Sequence, residues 1–137
     1  MALQFATLLR NAVLDAIETF GGTAAKIFIY SGTVPANAQA SETGTLLAEF
    51  DMASDWMAAA SSGSKALNNL PLSTTAVAGA PTNASHFRLM KSDGTTVVLQ
   101  GTCTVSGGGG DMILDNLSIA TGQTVNITAF TITDGNP

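Results

Sequence analysis

Charged residues are scarce in this sequence: they make up 11% of its 137 positions, against roughly 25% in an ordinary soluble protein. Only five are Lys or Arg, and these are scattered along the chain. A surface that binds a phosphate backbone needs grouped basic side chains, and the net charge of −5 opposes such a partner. The sequence therefore argues against nucleic acid as a partner. It also favours a surface partly covered by neighbours, because monomers usually carry more surface charge.

Cysteine is nearly absent too. Cys103 is the only one, which excludes an internal disulfide and a metal site built from cysteines. We expect it to be a small buried side chain on a strand. The sequence has no run of 18 apolar residues and no basic stretch ahead of an apolar segment, so it predicts neither a membrane partner nor a secretory signal. We expect the protein to be made in a reducing cytoplasm.

Motifs for catalysis or cofactor binding are also missing. His86 is the only histidine, and we expect it to be half-exposed on a strand with no nucleophile motif beside it. The Gly-x-Ser-x-Gly motif of α/β-hydrolases does not occur. The glycine run 107–110 lacks the Lys-Ser/Thr ending of a phosphate-binding loop and the tandem copies of a calcium-binding repeat. We therefore expect a flexible loop there, with no catalytic residue and no cofactor.

Two pairs of carboxylates lie close together in the sequence, Glu49 with Asp51 and Asp111 with Asp115. Alternate residues of a strand share one face, so the first pair has a spacing that suits a metal or an acid–base pair. No histidine or third carboxylate is near it in sequence, and we expect a solvated face instead. A weak calcium site between residues 111 and 115 remains an alternative, but we predict no metal.

The sequence does contain one amphipathic helix near its start. Apolar residues recur there at three- and four-residue spacing, and glycines at positions 21 and 22 predict where the helix ends. The predicted apolar, inward face comprises Leu9, Ala12, Val13, Ala16, Ile17 and Phe20, and the predicted outer face comprises Arg10, Asn11, Asp15 and Glu18. Leu14 interrupts the outer face. We expect it to be exposed, with contact to a partner subunit as the alternative.

The rest of the chain shows the alternation typical of strands. In the segment 26–30 it predicts that Ile27 and Ile29 point inward, and Asp93-Gly94 predicts a tight hairpin. Near the end, Val125, Ile127 and Ala129 are predicted inward before a phase shift that one bulge would explain. Strands are predicted at 26–30, 46–52, 85–90, 95–101, 112–114, 117–119 and 124–133, with extended chain at 66–72 and an ambiguous stretch at 56–60.

Together these segments predict a mainly β fold, a jelly-roll-like antiparallel β-sandwich with one N-terminal α-helix. Residues 1–22 are expected to form the helix, packed on or docking from the domain. Residues 23–137 are expected to form the sandwich, and we expect a single domain overall.

The order of segments resembles that of small structural proteins of bacteriophage particles, over nearly the whole chain. The motifs that carry the resemblance are Leu-Arg-Asn-Ala-Val-Leu-Asp-Ala-Ile at 9–17, Ile-Tyr-Ser-Gly-Thr-Val-Pro-Ala at 29–36, Thr-Gly-Thr-Leu-Leu-Ala at 43–48, Phe-Arg-Leu at 87–89, Ser-Asp-Gly-Thr-Thr-Val-Val at 92–98 and Gly-Gln-Thr-Val at 122–125. The resemblance implies a non-enzymatic virion protein assembled in the host bacterial cytoplasm, with a head decoration (cement) protein as first choice. A neck or tail component is the alternative.

The implied partners are the protein itself, as a dimer or trimer, and the major capsid protein or neighbouring virion proteins. The candidate docking surfaces are the helix and the loop 31–45, through Leu9, Val13, Leu14, Val34 and Pro35. A competing class is a carbohydrate-binding receptor-recognition module, whose sugar would stack on an exposed aromatic ring. Trp56 is the one candidate platform, although we expect a core position for it.

Overall fold

A computed structural model describes residues 1–135, so the predicted domain end at 137 lies outside the described residues. It shows a mainly β chain with one N-terminal helix, α1, over Thr7–Gly21. The strands are β1 Lys26–Ser31, β2 Leu46–Asp51, β3 Ser64–Ala66, β4 Leu72–Thr75, β5 Thr82–Met90, β6 Val97–Thr104, β7 Met112–Leu114, β8 Ser118–Ile119 and β9 Thr124–Thr133. The predicted helix end is confirmed, because Gly22 adopts a φ of 74° and donates its N–H to the carbonyl of Glu18.

Hydrogen bonds link the strands in the order β2-β1-β5-β6-β7-β9-β3, while β4 pairs with β9 and β8 pairs with β5. Within residues 1–135 these pairs are antiparallel except β6 with β7, which is parallel. The result is a curled, half-barrel-like sheet. The predicted mainly β class is thus confirmed, whereas the two-layered jelly-roll form stays a prediction.

The core is built from side chains that alternate along the strands, as hydrophobic burial requires. Ile27 and Ile29 of β1 are fully buried, which confirms their predicted direction. Cys103 on β6 is also buried, as predicted. Burial, with the Asp111 carboxylate nearby, raises the pKa of the Cys103 thiol to about 12, so the thiol is neutral and unreactive at neutral pH.

The turn between β5 and β6 is longer than the predicted two-residue hairpin. Of Asp93 and Gly94, only Gly94 has a positive φ, and its N–H donates to the carbonyl of Lys91 at 3.0 Å. The Asp93 carboxylate instead accepts hydrogen bonds from the Thr96 hydroxyl and from the N–H groups of Thr95 and Thr96. These bonds hold the pKa of Asp93 well below its ordinary value.

The predicted bulge in β9 is present, one residue earlier than the sequence pattern implied. Ile113 pairs with Ala129, but the next residue, Leu114, pairs with Ile127. The extra residue on β9 changes which side chains face the core. Ala129 is therefore exposed, and its predicted inward position was wrong.

The ambiguous stretch at 56–60 forms neither a strand nor a helical turn, and only Met57 makes an isolated bridge, to Leu67. Trp56 packs beneath the end of α1, with 2% of its surface exposed. Its indole N–H donates to the carbonyl of Gly22 at 2.9 Å. A Cβ added at Gly21 would lie 2.8 Å from the indole carbon Cζ2, so the absence of a side chain at Gly21 makes room for Trp56.

The substitution Gly21→Ala tests this packing. Helix propensity alone would stabilise the protein by up to about 1 kcal/mol, whereas forcing a methyl group into a packed contact costs about 1–3 kcal/mol. Since Trp56 is buried and hydrogen-bonded, we expect the clash to dominate and the free energy of unfolding in urea to fall. Gly135→Ala, where an added Cβ meets nothing within 4 Å, is the control. A stabilised Gly21→Ala protein would contradict the packing described.

Candidate functional site

The helix α1 packs on the β domain through its polar face, opposite to the prediction, although Ile17 packs against the core as predicted. Leu14 lies in the middle of that face and is 3% exposed, while Arg10, Asn11 and Glu18 around it are partly buried. The expectation that Leu14 is exposed, and its candidacy as a docking residue, were therefore wrong. It sits among the polar residues because it fills the space beneath the helix that they surround.

Backbone hydrogen bonding explains this orientation. The irregular segment 57–63 has N–H groups that sheet pairing does not use, and a buried N–H without a partner costs about 1–3 kcal/mol. Helix side chains accept from three of these groups at 2.9–3.0 Å: Glu18 from Met57, Asp15 from Ala60, and Asn11 from Gly63. An apolar helix face would leave all three donors unsatisfied.

A buried lysine adds a second reason. The Lys65 side chain on β3 is 2% exposed. Its ammonium group donates to Asp15 at 2.7 Å and to the carbonyl of Ala58 at 2.8 Å, and lies 3.1 Å from the Glu18 carboxylate. Burial by itself lowers the pKa of Lys65, but the hydrogen bonds to Asp15 and Glu18 outweigh it and raise the pKa above 10.5. The helix carboxylates thus keep a buried cation paired.

The start of the helix is held to the end of β9. The Arg10 guanidinium donates to the backbone carbonyl of Asp134 and lies 3.6 Å from its carboxylate. It also covers Gly63, where an added Cβ would collide with it. All three charged side chains of α1 (Arg10, Asp15 and Glu18) and their partner Lys65 are therefore used within the chain.

Because the polar face is turned inward, the apolar face of α1 points away from the domain. Leu9, Val13 and Phe20 are 51%, 52% and 54% exposed, and Ala16 between them is exposed as well. We call these four residues the apolar seam. The residues beside the seam, Leu8, Ala12 and Thr19, are exposed and uncharged. At one end of the seam the Lys91 ammonium lies 4.1 Å from the centroid of the Phe20 ring, a cation–π contact.

An exposed helix normally shows the reverse arrangement, with charge on the outer face. Contiguous apolar surface of this kind makes the seam the candidate site for interaction with another molecule. Leu9 and Val13, two of the predicted docking residues, are thus brought together on one surface. The sequence pattern located the apolar face but assigned it to the interior of the protein.

The other predicted site residues lie elsewhere. Val34 is 37% exposed on the loop 31–45, and Pro35 is half-buried, its carbonyl accepting a hydrogen bond from the Gln100 side chain at 2.9 Å. Trp56 is buried under α1 and offers no ring to a sugar. The expected core position is thus confirmed and the alternative of a ligand platform was wrong, because the indole fills the space left by Gly21.

His86 is fully buried, not half-exposed, and it anchors the loop 31–45. Its Nε2 lies 3.0 Å from the Glu42 carboxylate, which is also 3.3 Å from the guanidinium of Arg88. Burial by itself raises the pKa of Glu42, but a hydrogen bond from the Gly44 N–H and one with His86 outweigh it and hold the pKa below 4.5. Arg88 also donates to the carbonyl of Ala40 at 2.7 Å. Strand β5 therefore fixes the loop through buried polar groups.

Ser85, His86 and Glu42 are hydrogen-bonded in the order of a catalytic triad, with the Ser85 oxygen 2.7 Å from His86 Nδ1. The Ser85 hydroxyl also donates to the carbonyl of Gly32 at 2.7 Å. A catalytic serine faces a substrate cleft, yet cavities of about 540 Å³ and 240 Å³ are lined by other residues. This geometry supports a structural tie between β5 and the loop rather than a nucleophile.

The carboxylate pairs are also used by the chain's own donors. Lys26 bridges Glu49 and Asp51, while Asp111 accepts from Thr102 and Asp115 accepts from Asn126. Across residues 1–135 no group of three or more His, Cys, Asp or Glu side chains is arranged to hold a metal ion.

Comparison with known proteins identifies no relative. No protein-family model, no curated protein and no solved structure matches the chain. In the part of the chain that the structure describes, no helix has the length and apolar character needed to cross a bilayer. The apolar seam is therefore assigned from its geometry alone.

The packing of the helix should depend on pH. The hydrogen bond from Lys65 lowers the pKa of Asp15 below 3.8 in the folded protein. The ionised Asp15 therefore contributes its full stabilisation above pH 3.8, and this stabilisation is lost as the pH falls through the pKa of Asp15 in the folded protein. The pKa of Lys65 is raised above 10.5 in the folded protein. The protonated Lys65 therefore contributes its full stabilisation below pH 10.5, and this stabilisation is lost as the pH rises through the pKa of Lys65 in the folded protein.

We therefore expect the free energy of unfolding, followed by Trp56 fluorescence in urea, to fall when the pH is lowered from 6 to 3. The fall should be smaller in Asp15→Asn, which cannot be protonated. Asp55→Asn is the matched control, since Asp55 lines the same cavity as Asp15 without an ion pair. An equal fall in all three proteins would argue against the pairing of Asp15 with Lys65.

Proposed function

We propose that the protein is a non-enzymatic structural component of a bacteriophage particle, a head decoration protein that binds the outside of the capsid and stabilises it. The observation that carries an assembly role is the apolar seam on α1, an uncharged surface turned away from its own domain. A protein with this surface gains stability when a neighbour covers it. The resemblance of the segment order to phage structural proteins supplies the kind of particle.

The charge of the chain supports a position outside the capsid. With a net charge of −5 and only five basic residues, the protein would be repelled by packaged DNA. The five basic side chains are also engaged: four of them pair with acidic groups of the chain, and Lys91 lies over Phe20. None of them is left to contact a phosphate backbone.

Immunogold electron microscopy of intact particles, with an antibody against this protein, tests the location. Label spread over the head is the expected result. Label confined to the neck or tail would replace decoration with the connector or tail role, and particles without label would overturn the proposal. The carbohydrate-binding alternative has lost its only candidate platform, since Trp56 is buried.

Assembly should depend on the seam. Leu9 and Val13 are half-exposed in the monomer, so the double variant Leu9→Ser, Val13→Ser should fold normally. Because complete burial of a Leu or Val side chain is worth about 1.5–3 kcal/mol, the variant should bind decoration-free particles at least ~10-fold more weakly. Val34→Ser on the loop 31–45 is the control. Cosedimentation with particles measures the bound fraction. Full binding by the helix variant and loss by Val34→Ser would move the docking surface to the loop.

A further inference from the structure

The apolar seam has the residue spacing of a helix-pairing surface. Its members follow one another at intervals of four, three and four residues along α1, which is the heptad spacing of coiled coils. We propose that the seam is covered by the same seam of a second copy of this chain, with the two helices antiparallel across a two-fold axis. This inference rests on the assembly role proposed above: the neighbour that covers the seam is a second copy, and loss of the seam weakens particle binding because a dimer holds the capsid at two points.

The seam is self-complementary in the antiparallel direction. A two-fold axis between positions 14 and 15 places Leu9 opposite Phe20 of the second copy, and Val13 opposite Ala16. Every seam residue then has a partner in one register. In a parallel pair, Phe20 would meet Phe20 and Ala16 would meet Ala16, which leaves a crowded layer next to an underfilled one.

Side-chain size and the helix dipoles favour the same arrangement. Two helices that cross approach most closely at the middle of their contact and diverge toward its ends. The middle of the seam has the smaller residues, Val13 and Ala16, with Ala12 beside them, and its ends have the larger Leu9 and Phe20. Antiparallel helices also bring the positive end of one dipole beside the negative end of the other.

The charge distribution makes the seam the surface at which two copies of this acidic protein can meet. Two copies that each carry a charge of −5 repel one another unless they meet where neither presents acidic groups. The helix carboxylates, Asp15 and Glu18, lie on the polar face opposite the seam and are paired with Lys65, the Asp15 side chain being 47% exposed there. The seam is thus a surface on which identical acidic chains can meet without contact between like charges.

The available area is sufficient for a weak dimer. With roughly 150–250 Å² for a large side chain, the exposed parts of Leu8, Leu9, Val13 and Phe20 amount to about 500 Å² per copy. A standard stable interface buries about 800 Å² per partner, so we expect a dissociation constant on the order of micromolar.

A membrane surface fits the seam less well. Helices that lie in a bilayer interface carry Lys and Arg on the polar face beside the apolar one. The polar face of α1 carries the single cation Arg10, which is paired with Asp134, and the net charge of −5 opposes anionic lipid. A second copy remains the occupant that satisfies both the spacing and the charge.

Sedimentation equilibrium of the isolated protein, over roughly 1–500 µM, tests the pairing. The wild type should fit a monomer–dimer equilibrium. Val13→Glu should raise the dissociation constant at least 10-fold without changing the unfolding midpoint. Val77→Glu, the same substitution at an exposed valine away from the helix, should behave as wild type. A wild type that is monomeric or trimeric throughout, or a Val13→Glu protein that dimerises normally, would overturn the proposal.

Engineered cysteines test the direction. When Leu9→Cys and Phe20→Cys proteins are mixed and oxidised, a disulfide should join the two different chains, and Leu9→Cys alone should give little product, because the two copies of position 9 lie about 16 Å apart along the antiparallel pair. Wild type is the blank, since its one cysteine is buried. Efficient Leu9–Leu9 crosslinking would overturn the antiparallel arrangement.

Two further measurements separate this proposal from its alternatives. Flotation of the monomer with anionic phospholipid vesicles, without any dimer in solution, would overturn it in favour of a membrane partner. A dimer that leaves particles unlabelled supports helix pairing while removing the particle role. A monomer that labels the phage head supports the particle role and overturns helix pairing.

Discussion

The packing of α1 depends on a polar interface in which helix side chains satisfy groups that the sheet leaves without partners. Lys65 is buried on β3, and the N–H groups of the segment 57–63 lie beyond the reach of sheet pairing. Burying these groups unpaired would destabilise the fold by several times the energy of a typical contact. Asp15, Glu18 and Asn11 remove that penalty, and they do so only when the polar face points inward.

The outward direction of the apolar seam is a consequence of this interface rather than a separate feature. A rigid helix cannot turn both faces to the same domain, so satisfying the polar groups leaves Leu9, Val13, Ala16 and Phe20 in solvent. Exposed apolar surface is unfavourable in an isolated monomer. The arrangement becomes favourable once a neighbouring molecule covers the seam. The pairing of Lys65 inside the protein therefore determines which helix face is available for assembly.

Sequence patterns predicted local structure well, and contacts between residues distant in sequence poorly. The helix end at Gly22, the burial of Ile27 and Ile29, and the β9 bulge follow from short-range rules, since backbone conformation and alternation are local properties. Apart from Ile17, which packs against the core as predicted, the helix faces were assigned the wrong way round, because periodicity separates two faces without saying which one meets the domain. The core position expected for Trp56 is confirmed, whereas the buried position of His86 was not predicted, because it depends on Glu42, which is distant in sequence.

Isotope-filtered NOE spectroscopy tests the helix orientation most directly, because it separates contacts within one chain from contacts between copies. The account predicts intrachain NOEs between Asn11 and the amide proton of Gly63, and between Asp15 and that of Ala60, whose hydrogen bonds are 2.9 Å long. It predicts no intrachain NOEs from the methyl groups of Leu9 or Val13 to the β strands. Strong NOEs from those methyl groups to the core of the same chain, without the Asn11 and Asp15 contacts, would contradict it.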